Sequence, residues 1–577
     1  MKLKIFIALL LVSPLAFIAF SQMKSKAFTP AEDFPREALI YVQIADLPAF
    51  IKLWNESKLN EKYGQSENFA DFKNNHLGLK LASRWQEFNA ATGFPIDLET
   101  VAKLADNQAA IAVYDIGKLE FVFVAPVSEE IFTVTKFVQN QDKFSAETLG
   151  DGTTIYRATV EADRGRQRQD LIFTNVKGRF ILATSEKLLM RTLNNINGKA
   201  GKNRLIDEPS FKILSEKTTP HTATVWVNQT ALNDDYYFKR YWLMSDLKEL
   251  QNIRAGIFDF EMQTGKLIEN RRFLLNEPVN AAPISNARAS EILAFLPENI
   301  PFYRLQKANS KTIDEALEQT IFDRRIENTA VGKNPHFSSY EDYSSGDYES
   351  LGEKFDETVD DVEDDEAMKK QTTDVDFSSP FQSADPQAVL TFTAPQVLPA
   401  PRFVEFRRVA IFNLAAPTNF NRAAFESAMA GNLAAQILIA SPNIKLNWET
   451  KSANDAIWRE LNLPMLGRTV GYAVRGDAII LTSNTDFLRE ILTNAKAKSI
   501  ETADKPFSEL TVVNFNQREN AFDRVFNELN KKKAANDFFT GSISSLLDSI
   551  SEVESIQIKK SYSQNNFEEE LIFFFDE

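Results

Sequence analysis

The chain has 577 residues, of which 44% are hydrophobic and 25% charged, with a formal net charge of −15 at pH 7. It contains no Cys, which excludes disulfides, thiolate catalysis, Cys-ligated zinc and attachment through a lipidated Cys. The acidic balance also argues against nucleic-acid binding, because that function needs a basic surface.

The first 21 residues have the pattern of an export signal. Two lysines precede an apolar stretch over residues 5–20, which as a helix would span roughly 24 Å, less than the ~30 Å hydrocarbon core of a bilayer. Ala19 and Ser21 supply the small residues that favour cleavage before Gln22. We therefore expect an extracytoplasmic protein, in the periplasm or cell envelope of a bacterium; the alternative is an uncleaved segment that tethers the protein to the membrane.

The next elements predict an α+β fold. An apolar run over residues 38–44 indicates a strand, and Asp46 is placed to cap the helix that follows it. Three hairpins with Gly in the loop come next, separated by amphipathic helices over 128–138 and 185–196. We expect a mainly antiparallel sheet with helices packed on one face. The predicted hairpin strands are 109–114 with 119–124, 171–176 with 179–184, and 254–262 with 266–275.

The second half of the chain repeats the first. Five residues around one hairpin recur after a constant shift of 298, from Gly178 to Gly476 for example; the set is Val176, Gly178, Thr184, Ser185 and Arg191, matched by Val474, Gly476, Thr482, Ser483 and Arg489. Earlier, Tyr41 matches Tyr303 at a shift of 262. The pattern predicts a tandem duplication, with a first module over 35–278, a linker over 279–290 and a second module over 291–577.

The number of residues that separates matching positions of the two modules grows from 262 to 298. This increase indicates extra residues early in the second module. Residues 341–366 contain 13 acidic residues and one Lys. Such a segment has too little apolar surface to offset the entropy lost on ordering, so we predict a disordered acidic insertion over about 335–385. Cation binding is the alternative, but the fixed Asp and Gly positions of an EF-hand loop are absent.

No residue pattern identifies a catalytic, cofactor or metal site. The three histidines have no metal-ligand spacing, a Ser-x-x-Lys match has no partner motifs, a Gly-Lys run lacks the spacing of a phosphate loop, and three arginines form a small basic loop. These residues are His76, His221 and His336; Ser245 and Lys248; Gly198, Gly201 and Lys202; and Arg164, Arg166 and Arg168. We interpret them as structural or surface residues.

Two further features each allow a structural and a functional interpretation. The pairs Thr184-Ser185 and Thr482-Ser483 precede predicted helices, so we expect Ser185 and Ser483 to cap them, with an anion site as the alternative. The 46 Phe residues are best explained as core packing between sheet and helices, with a lipid-binding pocket as the alternative.

The sequence from Pro35 to Leu59, PREALIYVQIADLPAFIKLWNESKL, resembles the opening of a domain of unknown function in exported bacterial proteins. In that family a signal sequence precedes a Pro-initiated strand of the form Tyr-Val-x-Ile-x-Asp-Leu and a helix bearing Trp. The second module departs from the pattern at Gln306 and Lys307. The resemblance implies export and offers no catalytic residues.

Together these observations favour a non-enzymatic binding or scaffold protein of the bacterial envelope, with an envelope protein or ligand of unknown identity as its partner. Two alternatives remain at this stage. One is a carrier or sensor of a hydrophobic ligand. The other is a hydrolase that uses two converging carboxylates.

Overall fold

The computed structural model describes residues 29–575 except 57, 66, 75, 161–168, 200, 236–237, 239–247, 264, 280–281, 299, 323–377, 398–403, 438–445, 454–455, 464–467, 495–505 and 516–552. The predicted signal and membrane tether, and most of the predicted acidic insertion, lie outside these residues. We call residues 29–279 the first half and residues 282–575 the second half.

Ten strands are described in each half. Those of the first half are β1 (Ile40–Ile44), β2 (Ala109–Asp115), β3 (Glu120–Pro126), β4 (Ser145–Thr148), β5 (Thr154–Val160), β6 (Gln169–Val176), β7 (Arg179–Ala183), β8 (Ala223–Val227), β9 (Ile253–Gln263) and β10 (Lys266–Leu275). Those of the second half are β11 (Phe302–Lys307), β12 (Pro386–Val397), β13 (Val404–Leu414), β14 (Trp448–Ala453), β15 (Ala456–Leu463), β16 (Arg468–Arg475), β17 (Ala478–Thr482), β18 (Glu509–Asn514), β19 (Val553–Ser563) and β20 (Asn566–Phe575). The three hairpins predicted for the first half are confirmed.

The strands form one antiparallel 20-stranded sheet. The first half runs in the order β4-β5-β6-β7-β3-β2-β1-β8-β9-β10. The second half runs in the order β14-β15-β16-β17-β13-β12-β11-β18-β19-β20. Every strand of the second half therefore holds the place of the strand ten positions earlier, and β10 pairs with β20 to join the two halves.

In both halves the helices occur in the segments of chain that connect the strands. Those of the first half are α1 (Leu47–Glu56), α2 (Lys58–Gln65), α3 (Glu67–Asn74), α4 (His76–Thr92), α5 (Leu98–Ala102), α6 (Glu129–Val134), α7 (Lys136–Gln139), α8 (Glu186–Ile196), α9 (Pro209–Ser215), α10 (Gln229–Asp234) and α11 (Lys248–Asn252). Those of the second half are α12 (Asn286–Leu293), α13 (Ser310–Leu317), α14 (Ser379–Gln382), α15 (Arg422–Ile437) and α16 (Thr485–Asn494). Short 3-10 turns cover Thr29–Glu32, Gln141–Lys143, Leu205–Asp207 and Pro417–Asn419, and a π turn covers Glu318–Phe322.

Two local predictions about the helices have clear outcomes. Asp46 accepts a hydrogen bond from the amide of Ala49 at 3.0 Å and so caps α1, as predicted. The single helix predicted over 128–138 is instead two short helices, because Thr135 adopts an extended conformation and its hydroxyl caps α7 through the amide of Val138.

Helices cover both faces of the sheet, so the prediction of one covered face is wrong. On the face that we call the front, Phe121 and Phe123 of β3 pack in a core with Phe88 of α4. On the back, Val122 and Val124 of the same strand pack with Leu189 of α8. The second half repeats this division, with α13 and α15 on the front and α12 and α16 on the back. Strands with unbroken apolar runs, such as β17 (AIILT), require this burial from both sides.

Aromatic side chains fill the front core of the first half. Phe137 is fully buried and contacts four other Phe rings, whose centroids lie between 5.0 and 6.3 Å from its own: Phe94, Phe144, Phe173 and Phe180. Most of these pairs meet edge to face or tilted, as aromatic quadrupoles favour. The prediction that Phe residues serve as core packing is therefore confirmed for this cluster.

The structure describes the last eight residues of the predicted acidic insertion, 378–385, and here the prediction of disorder is wrong. Residues 378–385 are ordered, contain α14, and lead directly into β12. Phe381 is fully buried, with its ring centroid 4.7 Å from that of Phe412 and 5.6 Å from that of Phe425. Pro380 and Ala384 are buried as well, and these apolar side chains anchor the segment, which a boundary drawn from charge content overlooks.

Candidate functional site: the seam between the halves

The most distinctive site is the junction of β10 with β20, which we call the seam. The two hairpins that meet there are equivalent, because β9 and β19, and β10 and β20, begin 300 residues apart. Pairing runs from Lys266 opposite Phe574 to Leu274 opposite Asn566, and it places Asn270 opposite Glu570, its own counterpart. The seam therefore has local two-fold symmetry.

A chain of alternating charges crosses the front of the seam, and we call it the ion-pair belt. It comprises Glu269 and Arg271 on β10, Glu569 on β20, Lys560 on β19, Glu509 on β18 and Arg304 on β11. Arg271 binds both oxygens of Glu269 at 2.7 and 2.8 Å and reaches Glu569 at 2.9 Å. Lys560 lies 3.6 Å from both Glu569 and Glu509. Arg304 binds both oxygens of Glu509 at 3.1 Å. The belt thus links five neighbouring strands.

Burial and charge set the electrostatics of the belt. The side chain of Glu269 is only 2% exposed, and this burial raises the pKa of its carboxyl against the opposing effect of the Arg271 guanidinium. Burial would lower the pKa of Arg271, but Glu269 and Glu569 outweigh it, so that the pKa rises. Burial would likewise raise the pKa of Glu509, yet Arg304 and Lys560 lower it overall. Arg271 is thus the cation that neutralises the most deeply buried carboxylate of the belt.

Apolar contacts border the belt on both sides along the strands. At one end Leu267 lies opposite Phe573, in a core that also contains Leu53 of α1. At the other end the rings of Phe273 and Phe567 stack with centroids 5.2 Å apart. The seam therefore has a charged centre between two apolar ends, and its strands are joined both by ladder hydrogen bonds and by side chains.

A second polar cluster lies on the back of the sheet beside the seam. Asp259 of β9, which is 1% exposed, accepts hydrogen bonds from the backbone amide of His221 at 2.9 Å and from the hydroxyl of Thr224 at 2.8 Å. Nδ1 of His221 also pairs with this carboxylate, and its Nε2 lies 3.6 Å from Glu261. The hydrogen bond to Asp259 raises the pKa of His221 against the effect of burial.

A third cluster joins α15 to the outer strands of the second half. Glu426 accepts two hydrogen bonds from Arg459 at 2.8 Å and one from the hydroxyl of Tyr472 at 2.5 Å. Arg422 donates to both Glu426, at 3.2 Å, and Tyr472, at 2.9 Å. Burial alone would raise the pKa of Glu426, but these hydrogen bonds lower it to about 2. The carboxylate is held charged as a structural tie between helix and sheet.

The other residues singled out in the sequence fall in separate places. His76 begins α4, and Lys248 begins α11. Gly198 and Gly201 have positive φ in the turn after α8. The remaining residues, His336, Ser245 and the three arginines Arg164, Arg166 and Arg168, lie outside the described residues. Among the residues that the structure describes, no group of three His, Asp or Glu side chains is arranged to hold a metal ion.

The two repeated glycines occupy equivalent hairpins but different turn positions. Gly178 is the second residue of its turn, after Lys177, and both have positive φ, 71° and 52°. Gly476 is the first residue of its turn, with φ 57°. Two-residue hairpin turns need positive φ either at both positions or at the first, so a glycine satisfies either arrangement.

This one-residue difference continues into the helices and corrects the predicted caps. By strand pairing Ala183 corresponds to Thr482, so Ser185 corresponds to Asn484 rather than Ser483. Asn484 caps α16, accepting a hydrogen bond from the amide of Phe487 at 2.9 Å. Ser185 holds the N-cap position of α8, but its side chain makes no capping hydrogen bond. Arg191 and Arg489 therefore do not hold equivalent positions in α8 and α16, but differ by one residue.

The seam itself was not predicted from the sequence. The charges of the two strands carry the signal that was missed: Arg271 and Arg272 of β10 are complementary to Glu568 and Glu569 of β20 in the antiparallel register. In the described part of the chain, no helix combines the length and apolar character needed to cross a membrane.

Comparisons with known proteins give little further information. No family model and no curated protein matches the chain. Crystal form I of TP0453 is 11% identical with a TM-score of 0.23, and the match covers 44% of this chain and 81% of that chain. Crystal form III is 10% identical with a TM-score of 0.24, and the match covers 47% and 86%. A likeness at this level does not transfer a fold or a function.

Proposed function

We propose that this chain is an exported, non-enzymatic binding or scaffold protein of a bacterial envelope. The observation that carries the proposal is the continuity of the sheet across the seam, which joins two halves of the same strand order in one 20-stranded sheet. Three carboxylates support it as well, because Glu569, Glu426 and Asp259 each accept a hydrogen bond from a neighbouring element of the fold. A continuous sheet tied together in this way suits a protein that positions partners.

We also propose that the two halves arose by tandem duplication. The identical strand orders and the two-fold register of the seam support this origin. A duplicated module whose edge strand pairs with its own copy gives a single chain with the symmetry of a dimer. The predicted module boundaries, 35–278 and 291–577, remain part of the proposal.

The extracytoplasmic location rests on the sequence of residues 1–21 and on the lack of Cys. Fractionation of the native host with a C-terminal tag tests it. We expect the protein in the envelope fraction, sensitive to added protease only after the outer layers are permeabilised, with a mature N-terminus near Gln22. An intact Met1 in that fraction would favour the tether through residues 5–20, and a cytosolic protein would contradict the proposal.

The binding role is tested by crosslinking in the native host. A photoreactive residue is placed at Ile457, an apolar side chain that is 64% exposed. The second test site is Thr154, which strand pairing shows to be the counterpart of Ile457 in the first half. We expect a discrete crosslinked product from at least one site. Uncrosslinked protein at both sites and a monomer without co-purifying molecules would contradict a scaffold role.

A further inference from the structure

The seam can be compared with the two alternative seams that the same strands could form. Since β10 and β20 are equivalent and pair about a local two-fold axis, the same register would also bring β10 against a second copy of β10, or β20 against a second copy of β20. Each arrangement places a definite set of side chains opposite one another. Their charges decide which arrangement is favoured.

The observed seam is charge-complementary. Strand β10 carries three basic side chains and one acidic, whereas β20 carries three acidic side chains and no basic one. Arg271 lies opposite Glu569, and Arg272 lies opposite Glu568 with an ion-pair distance of 3.3 Å. Apolar residues also meet apolar residues, as Ile268 meets Ile572.

A seam made of two β20 strands would be unfavourable. In that register Glu570 would face its own copy, and Glu569 and Glu568 would face Leu571 and Ile572. Glu569 and Glu568 would then lose Arg271 and Arg272, which is costly, and the two copies of Glu570 would repel. Lys560 and Lys559, which belong to the same half, would remain beside Glu569 and Glu570. By contrast, two β10 strands would place Glu269 opposite Arg271 twice, which is an acceptable arrangement.

We propose that the seam is a recognition surface whose charges select the unlike half of this chain: β10 fits β20, and β20 rejects a second copy of itself. The positions responsible are Glu568, Glu570 and Leu571, whose counterparts in β10 are Ile268, Asn270 and Arg271. This inference concerns how the halves recognise each other and is independent of the envelope location.

The test uses the full chain with a protease site inserted between Asn280 and Ala281, cleaved after folding. The nicked wild-type halves should remain a 1:1 complex on gel filtration and in native mass spectrometry. Two preparations with differently tagged second halves are then mixed in mild urea until the tags have exchanged between complexes, and dimers of the second half are counted.

The variant E568I/E570N/L571R gives β20 the residues of β10 at the three selecting positions. It keeps Glu569 opposite Arg271 and adds a cation opposite Glu269. Arg272 loses its ion pair with Glu568 but keeps its hydrogen bond to the hydroxyl of Thr218 at 2.9 Å, so we expect the normal seam to form. We expect the proportion of second-half dimers to rise at least about tenfold over wild type, a ratio that corresponds to 1.4 kcal/mol. The control E147N/E449N/D486N makes the same change in net charge at exposed positions away from the seam, and we expect it to behave as wild type.

Each outcome decides the proposal. Separation of the nicked wild-type halves would show that the seam does not recognise the unlike half. Abundant second-half dimers in wild type, or none in the variant, would show that these three positions do not set the selection. A similar rise in the control would assign the effect to net charge rather than to the seam. Circular dichroism of each nicked protein confirms that folding is retained.

Discussion

Arg271 lies directly opposite Glu569 across the seam and also holds both oxygens of the buried Glu269. One guanidinium therefore joins the two halves and neutralises the most deeply buried carboxylate of the belt. Arg suits this position because its planar fork binds a carboxylate through two hydrogen bonds and can donate to another acceptor at the same time.

Replacing this cation tests its importance. We expect Arg271→Met to lower the free energy of unfolding by about 3–5 kcal/mol, because it leaves Glu269 buried without a partner. The measurement is urea denaturation followed by circular dichroism. The double variant E269Q/R271M should recover most of the loss, since no buried charge remains.

The matched control is Arg288→Met, which removes a partly exposed arginine that pairs with the exposed carboxylates of Glu291 and Asp477. Surface ion pairs contribute about 0–1 kcal/mol, so we expect little change. Equal losses for Arg271 and Arg288 would contradict the assignment of the belt as a buried network.

Glycine substitutions test the packing between sheet and helix. A Cβ on Gly471 of β16 would lie 2.6 Å from Cγ2 of Thr485 and 3.4 Å from the carbonyl oxygen of Arg459. We expect Gly471→Ala to destabilise the protein by about 1–3 kcal/mol through overpacking. Gly431→Ala is the matched control, because a Cβ there meets no atom within 4 Å on helix α15. It should stabilise the protein by about 0.5–1 kcal/mol. Thermal unfolding distinguishes the two, and a neutral result at Gly471 would contradict the observed packing.

The His221 cluster predicts a pH dependence with a definite sign. The pKa of His221 is higher in the folded protein than its ordinary value of 6.5, so its pairing with Asp259 stabilises the fold below that value. This contribution is lost as the pH rises through the folded pKa. We expect the difference in Tm between wild type and His221→Gln to be larger at pH 5.5 than at pH 8.5. A difference that grows with pH would contradict the pairing.

Glu426 predicts the opposite behaviour. Its pKa is lowered from 4.5 to about 2, so its hydrogen bonds stabilise the fold above the unfolded pKa and are lost as the pH falls through the folded one. We expect Glu426→Gln to cost about 1.5–3 kcal/mol at pH 7, the usual range for hydrogen bonds to a charged group, and much less near pH 2. Urea denaturation at both pH values measures the difference. A cost that does not change with pH would contradict the charged state.

The sequence predicted local structure better than long-range structure. Alternating apolar runs around turns such as Lys177-Gly178 identified the hairpins, because strand period and turn chemistry are local properties. The unbroken apolar character of β7 and β17 also contained the signal for two covered faces, but it was interpreted as one-sided burial. The cap at Asn484 was missed because sequence identity aligned Ser185 with Ser483, whereas strand pairing shifts the alignment by one residue.

The seam could not be derived from periodicity, because it joins strands that are 300 residues apart and its formation depends on complementary edges rather than on either strand alone. The opposite net charges of β10 and β20, which place Arg272 opposite Glu568, are the feature of the sequence that points to it. The burial of Glu269 depends in turn on the assembled sheet, so its raised pKa was also beyond local reasoning.

The central claim is that the equivalent strands β10 and β20 pair about a two-fold axis that passes between Asn270 and Glu570. Because the chain has no Cys, a single introduced pair reports on this register without interference. Directly opposite residues have Cα atoms within disulfide range, whereas a diagonal neighbour is too distant. The account predicts that N270C/E570C forms an intramolecular disulfide under mild oxidation and that N270C/I572C does not. No disulfide in the first variant, or equal formation in both, would contradict the seam.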